Sequence, residues 1–160
     1  MNTQPDPHAD LPQRLADNLA AHLDCTRLLH ATLAHEREAL LANDVEALER
    51  LTCTKTAAAE RLAELGYALN RLRRQAGAER IEAWIERADP SGHCACRWRE
   101  LIALAAQCHD ANRANAALLD ARSQQIRSAL HVVHGSASTP TYARSGSVAA
   151  PLGSRPLGLA

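Results

Sequence analysis

Apolar residues recur at spacings of three and four in three long runs of this chain, the pattern of amphipathic helices. The longest run covers residues 97–135. Counting in sevens from Trp98 gives Ala105, Asn112, Leu119, Ile126 and Val133, with Leu101, Ile102, Cys108, Asn115, Arg122, Ala129 and Leu130 interleaved. A 3.5-residue period sustained this far predicts a coiled-coil or bundle seam. Asn112 and Asn115 stand in its middle, where apolar residues would pack more strongly, and they divide it. The half before them is expected to pack on the other helices; the half from Leu118 onward is expected to be an exposed apolar surface.

The first run steps by four through Leu11, Leu15, Leu19 and Leu23 and continues at Leu29, Leu33, Leu40 and Leu41, with Glu36, Arg37 and Glu38 interrupting it. Asp10 is the expected N-cap, Pro12 falls in the first turn, and the helix is expected to end near Leu41. His22 and His30 lie near the apolar face and read as hydrogen-bonded or partly exposed rather than ligands. Asn43 with Glu46 has the form of a capping box, which starts a second helix at once and makes the two antiparallel. Its seam runs Val45, Leu48, Leu51, Lys55, Ala58, Leu62, Leu65, Leu69 and Leu72. Lys55, the one lysine of the chain, is expected to lay its stem on apolar surface with the ammonium in water.

Arg71, Arg73 and Arg74 suit a helix C-terminus, and Gly77 is a stop. Residues 79–88 make a short amphipathic piece with Ile81, Trp84 and Ile85, closed by the turn Asp89-Pro90-Ser91-Gly92. After Gly135 the pattern collapses into Ser, Gly, Pro and Ala. The expected fold is therefore all-α: an elongated antiparallel helical bundle or coiled coil of three long helices plus one short helix, with a disordered C-terminal tail. The expected boundaries are a flexible N-terminus over 1–9, a bundle domain over 10–135 and the tail over 136–160. Tyr142 is the tail's single aromatic residue and a candidate anchor for a partner's pocket.

Composition supports a helical chain. There is no Phe, aromatics make up 2%, and the apolar supply is mainly Leu and Ala, which disfavours sheets and base-stacking sites. Net charge is zero, but residues 121–160 hold Arg122, Arg127, Arg144 and Arg155 and no acid. Four scattered Arg are too sparse for a nucleic-acid footprint. The first ten residues lack a secretory pattern and no run reaches the roughly 18 apolar residues of a span, so a cytosolic protein not embedded in a membrane is expected. Five Cys are then expected as reduced, buried thiols.

No phosphate loop, nucleophile elbow or HExxH sequence is present, and the carboxylates read as lying on outward charged faces, so neither catalysis nor a cofactor is expected. Cys94, Cys96, Cys108 and His109 are zinc-ligand types, but their spacing is not that of a structural site, and no metal is expected. A purely structural, dimerising coiled coil is the alternative class, since a buried Asn can fix register.

The segment His35-Glu36-Arg37-Glu38-Ala39-Leu40-Leu41, followed by Asp44, Leu48, Leu51 and Lys55, resembles the N-terminal signature of the FlgN family of flagellar type III export chaperones. Arg97-Trp98, Asn112-x-x-Asn115 and Thr141-Tyr142 match further motifs in order, although Ala116 and Ala143 replace glycines that the family favours. The resemblance implies a cytosolic chaperone of the hook-filament junction proteins FlgK and FlgL. Carried over by position, client capture falls on Leu118, Leu119, Ile126, Leu130 and Val133. Docking on the export gate protein FlhA falls on Tyr142. A client-free homodimer is a further expected state.

Overall fold

A computed structural model describes residues 10–136, with side chains as far as Val133. Its regular structure is helical throughout: α1 (Leu11–Ala42), α2 (Val45–Gln75), α3 (Ile81–Ala88) and α4 (His93–Ser136), with no strand among the described residues. Two compact units divide the chain, Met1–Ala121 and Arg122–Ala160. Of the second unit, residues 122–136 are described, and all are helical.

The helix ends follow from local chemistry, with two differences from the expected caps. Asp10 precedes α1 but makes no side-chain cap. Asn43 sits at φ 60, a left-handed conformation that Asn tolerates, and the following N–H, of Asp44, reaches back to the Ala39 carbonyl at 3.0 Å. Asn43 is thus used to end α1. Asp44 caps α2 instead, its Oδ1 accepting the Ala47 N–H at 2.9 Å. The other end of α2 repeats the device with Gly77 at φ +63: the Ala78 N–H returns to the Arg73 carbonyl at 3.1 Å and the Ala78 methyl is buried.

α4 begins four residues before Arg97, because Asp89 prepares its first turn. Asp89 Oδ2 accepts the Cys94 N–H at 2.7 Å, while Oδ1 accepts the N–H and hydroxyl of Ser91. The Ser91 hydroxyl, then the Cys94 N–H, hold the Asp89 carboxyl down at about 2.

α1 and α2 form an antiparallel hairpin, tied side chain to backbone by Asn18 Nδ2 to the Leu65 carbonyl (3.2 Å) and Cys25 Sγ to the Ala58 carbonyl (3.5 Å). α4 runs parallel to α1, since Cys108 meets the Thr26 carbonyl and Asn115 the Leu33 carbonyl at the same offset of 82 residues. The main core lies where α1 begins and α2 ends. Leu15, Leu19 and Leu23 pack there with Leu69, Leu72, Trp84 and Ile85. Each fully buried Leu or Ile contributes about 1.5–3 kcal/mol, so this end anchors the unit.

Candidate functional site

Further along α1 the packing turns polar. Leu29, Leu33, Glu36 and Leu40 share one face of α1, which carries the Glu36 carboxylate inward. Asn115 of α4 is 4% exposed, and its Nδ2 donates to both the Leu33 carbonyl and Glu36 Oε2 at 2.8 Å. Lys55 of α2 donates to Glu36 Oε1 at 2.5 Å and to Asn112 Oδ1 at 3.4 Å. One carboxylate therefore joins three helices. Glu36 departs from the outward placement expected of the carboxylates, and Lys55 from the expected hydrated ammonium. The two Asn also differ: Asn115 is buried, whereas Asn112 is exposed. Sequence reading missed the partners, although the 29-33-36-40 spacing already placed Glu36 in the apolar stripe.

Between α2 and α4, floored by α1, lies an open groove of about 1020 Å³. Leu62, Gly66 and Leu69 form part of its α2 wall, Trp98, Ile102 and Ala105 part of its α4 wall, and Lys55 and Asn112 stand at one end. The N-terminal half of α4 is accordingly not covered as expected. It packs on α1 through Leu101 and Cys108, but Ile102, Ala105 and Asn112 are exposed. Nothing in the α2 pattern announces an open groove, because a residue facing it reads the same as one facing a core.

His22 forms part of the groove's α1 floor, with Nδ1 3.2 Å from Asn18 Oδ1. Burial lowers its pKa, against a backbone hydrogen bond at Leu62 that raises it. The cysteines divide. Cys94 and Cys108 are buried and their thiols are pushed up by that burial, Cys25 is half-buried, and Cys53 and Cys96 are exposed, contrary to the expectation that all five are buried. Among the described residues no group of three His, Cys, Asp or Glu side chains could hold a metal ion, and no helix is long and apolar enough to cross a membrane.

Of the five residues expected to capture a client, Leu118 is half-buried. Leu119 is 55% exposed in the first unit, and Ile126, Leu130 and Val133 are 60%, 51% and 64% exposed in the second. Val132, which the sequence reading did not single out, is exposed as well. Tyr142 and the expected tail from residue 137 on lie outside the described residues, as does the expected flexible N-terminus over 1–9.

A chain whose described residues form only helices, with an open apolar groove and exposed apolar residues on one long helix, belongs by its surfaces with proteins that bind other proteins. The family model for FlgN protein matches residues 11–150, and the chain belongs to the FlgN family, a family of flagellar export chaperones. No curated protein and no solved structure matches the chain.

Proposed function

We propose that this chain is a cytosolic chaperone that captures the helical termini of FlgK and FlgL, keeps them from associating prematurely and delivers them to FlhA. The observation that carries the reading is the seven-residue recurrence of exposed apolar side chains at Leu119, Ile126 and Val133, with Leu130 and Val132 beside them. A client's amphipathic helix covers such a stripe by the helix-in-groove mode, and holding it requires no bond chemistry, cofactor or metal. Leu118, half-buried beside Leu119, belongs to the same capture surface. Asn112 and Asn115 lie between this surface and the part of the seam that packs on α1 through Leu101 and Cys108. Tyr142 docks on FlhA from the segment that follows the bundle domain of residues 10–135. Client-free, the chain forms a homodimer.

The test is pull-down and calorimetry with purified FlgK and FlgL. Changing Leu119, Ile126 and Leu130 together to Ser should abolish client binding while helix content is kept. Undiminished affinity places the client elsewhere. Tyr142→Ala should weaken binding to the cytosolic part of FlhA and leave client binding intact; unchanged FlhA binding removes that role.

A further inference from the structure

The α2–α4 groove lies wholly within Met1–Ala121. Along its α4 wall Trp98, Ile102, Ala105, His109 and Asn112 follow at steps of four and three, over about 21 Å at 1.5 Å per residue. Ile102 is 52% exposed, and Ala105 beside it is exposed and small. The facing α2 wall is small as well. Ala59 and Gly66 line it, Ala63 falls between them on the same face, and a Cβ added at Gly66 would meet nothing within 4 Å. An apolar ridge and a shallow apolar hollow thus share one surface.

We propose that two copies of the chain meet on this surface in the client-free homodimer, groove on groove, with the Trp98–Asn112 stretches of α4 antiparallel about a two-fold axis between Ile102 and Ala105. This rests on the reading that the client-free chain is a homodimer and names the face that forms it. The axis sets Ile102 of each copy against Ala105 of the other, large against small. Both contacts form at once, which makes the interface self-complementary and closed. Exposed alanines at 105 and 106 let the two α4 helices approach closely. By the registers fixed at Cys25–Ala58 and Cys108–Thr26, the axis is level with Ala59 and Ala63 on α2, so each Ile102 also faces the hollow of the other copy.

The size of the face suits a second copy. Of the 22 lining residues, all but His22, Thr26, Leu33, Leu69, Leu101 and Cys108 keep exposed or half-exposed surface. With Ala63 and Ala106 on the rims, they approach the roughly 20 residues that a stable interface uses on each side. The ends of the groove choose the direction. Exposed Glu79 and Glu82 stand with Arg80 at the α3 end, where Arg73 is turned onto the Ala78 and Glu79 carbonyls. Lys55 and His109 stand at the other end. Antiparallel copies lay each Glu79–Glu82 turn beside the other copy's Lys55 and His109, whereas parallel copies would set like end on like.

The test uses the full chain, with mass measured by analytical ultracentrifugation and helix content by circular dichroism. Three variants at exposed positions are compared with wild type: Ile102→Asp, Ala105→Arg and Ile102→Ser. Wild type should be a dimer. Each charged variant should weaken dimerisation at least about ten-fold by placing a charge in an apolar contact, and Ile102→Ser, which adds no charge, should weaken it too. An equimolar mixture of Ile102→Asp and Ala105→Arg should recover association, because one contact sets Asp against Arg and the other keeps Ile102 against Ala105. All three variants should bind FlgK and FlgL as wild type does, since no capture residue is changed. A monomeric wild type defeats the homodimer reading and this interface with it. A dimer that the variants leave intact, or a mixture that stays monomeric, defeats this interface alone. Loss of FlgK or FlgL binding in the variants gives the groove to a client helix and overturns the second copy as its occupant.

Discussion

Asn112 and Asn115 both stand at seam positions of the sequence repeat but have very different places in the protein, and replacing each by Ala separates them. Asn115 donates two hydrogen bonds of 2.8 Å from a buried position, one of them to the Glu36 carboxylate. A bond to a charged group contributes about 1.5–3 kcal/mol and a neutral one about 1, so Asn115→Ala should cost about 2–4 kcal/mol. Asn112 is exposed and meets Lys55 at 3.4 Å, so Asn112→Ala should cost less than about 0.5 kcal/mol. The Lys55–Glu36 pair is partly screened, with Lys55 31% exposed, and adds about 1 kcal/mol at most. Because Glu36 and Asn115 share a bond, Glu36→Ala with Asn115→Ala should cost about 1–2 kcal/mol less than the two single changes added together. Replacing both by Leu should come close to wild-type stability. Urea unfolding followed by far-ultraviolet circular dichroism measures all of these. Equal costs at Asn112 and Asn115, or strict additivity of Glu36 and Asn115, would refute the three-helix junction.

Three further outcomes follow from the structure. Burial holds His22 below its ordinary value of 6.5, so the folded chain binds fewer protons there than the unfolded chain as pH drops through that value. Stability should therefore fall as pH drops below about 6.5, and His22→Gln should flatten that slope in urea titrations between pH 7.5 and 5. Under native conditions a thiol reagent should label Cys53 and Cys96 quickly, Cys25 slowly, and Cys94 and Cys108 only on unfolding, which peptide mass mapping resolves. Trp84 is 4% exposed in the main core, and Trp84→Ala should cost about 3–5 kcal/mol in the same unfolding assay.

Much of this architecture is written in the spacing of Leu. The four-residue steps of Leu11 to Leu23 gave one face of α1, and the two turns at Asn43-Asp44 and Asp89–Gly92 gave the breaks, because turn chemistry is local. Assigning the cap to Asn43 instead of Asp44 failed because both residue types cap helices; only the left-handed backbone at Asn43 distinguishes them. Glu36 and Lys55 were legible as polar members of apolar stripes, but that they meet depends on a register between helices that no single helix encodes. The open groove was not legible. Ala105 and Gly66 would read alike as close-packing residues in a completed bundle and as the walls of an open groove.

The parallel course of α1 and α4 has a kinetic side. α2 folds back on α1 across a two-residue connection, whereas contacts joining α4 to α1 close over 82 residues. Closure over that distance is entropically costlier and slower, so the hairpin forms early and α4 docks late. The helix that docks late has fewer neighbours to hold it, and its amides around Ala105 should exchange with solvent sooner than those of Leu15 to Leu23. The groove therefore sets its late-closing α4 wall against the locally closed α2 wall, and earlier exchange on the α4 side is the expected mark of that difference.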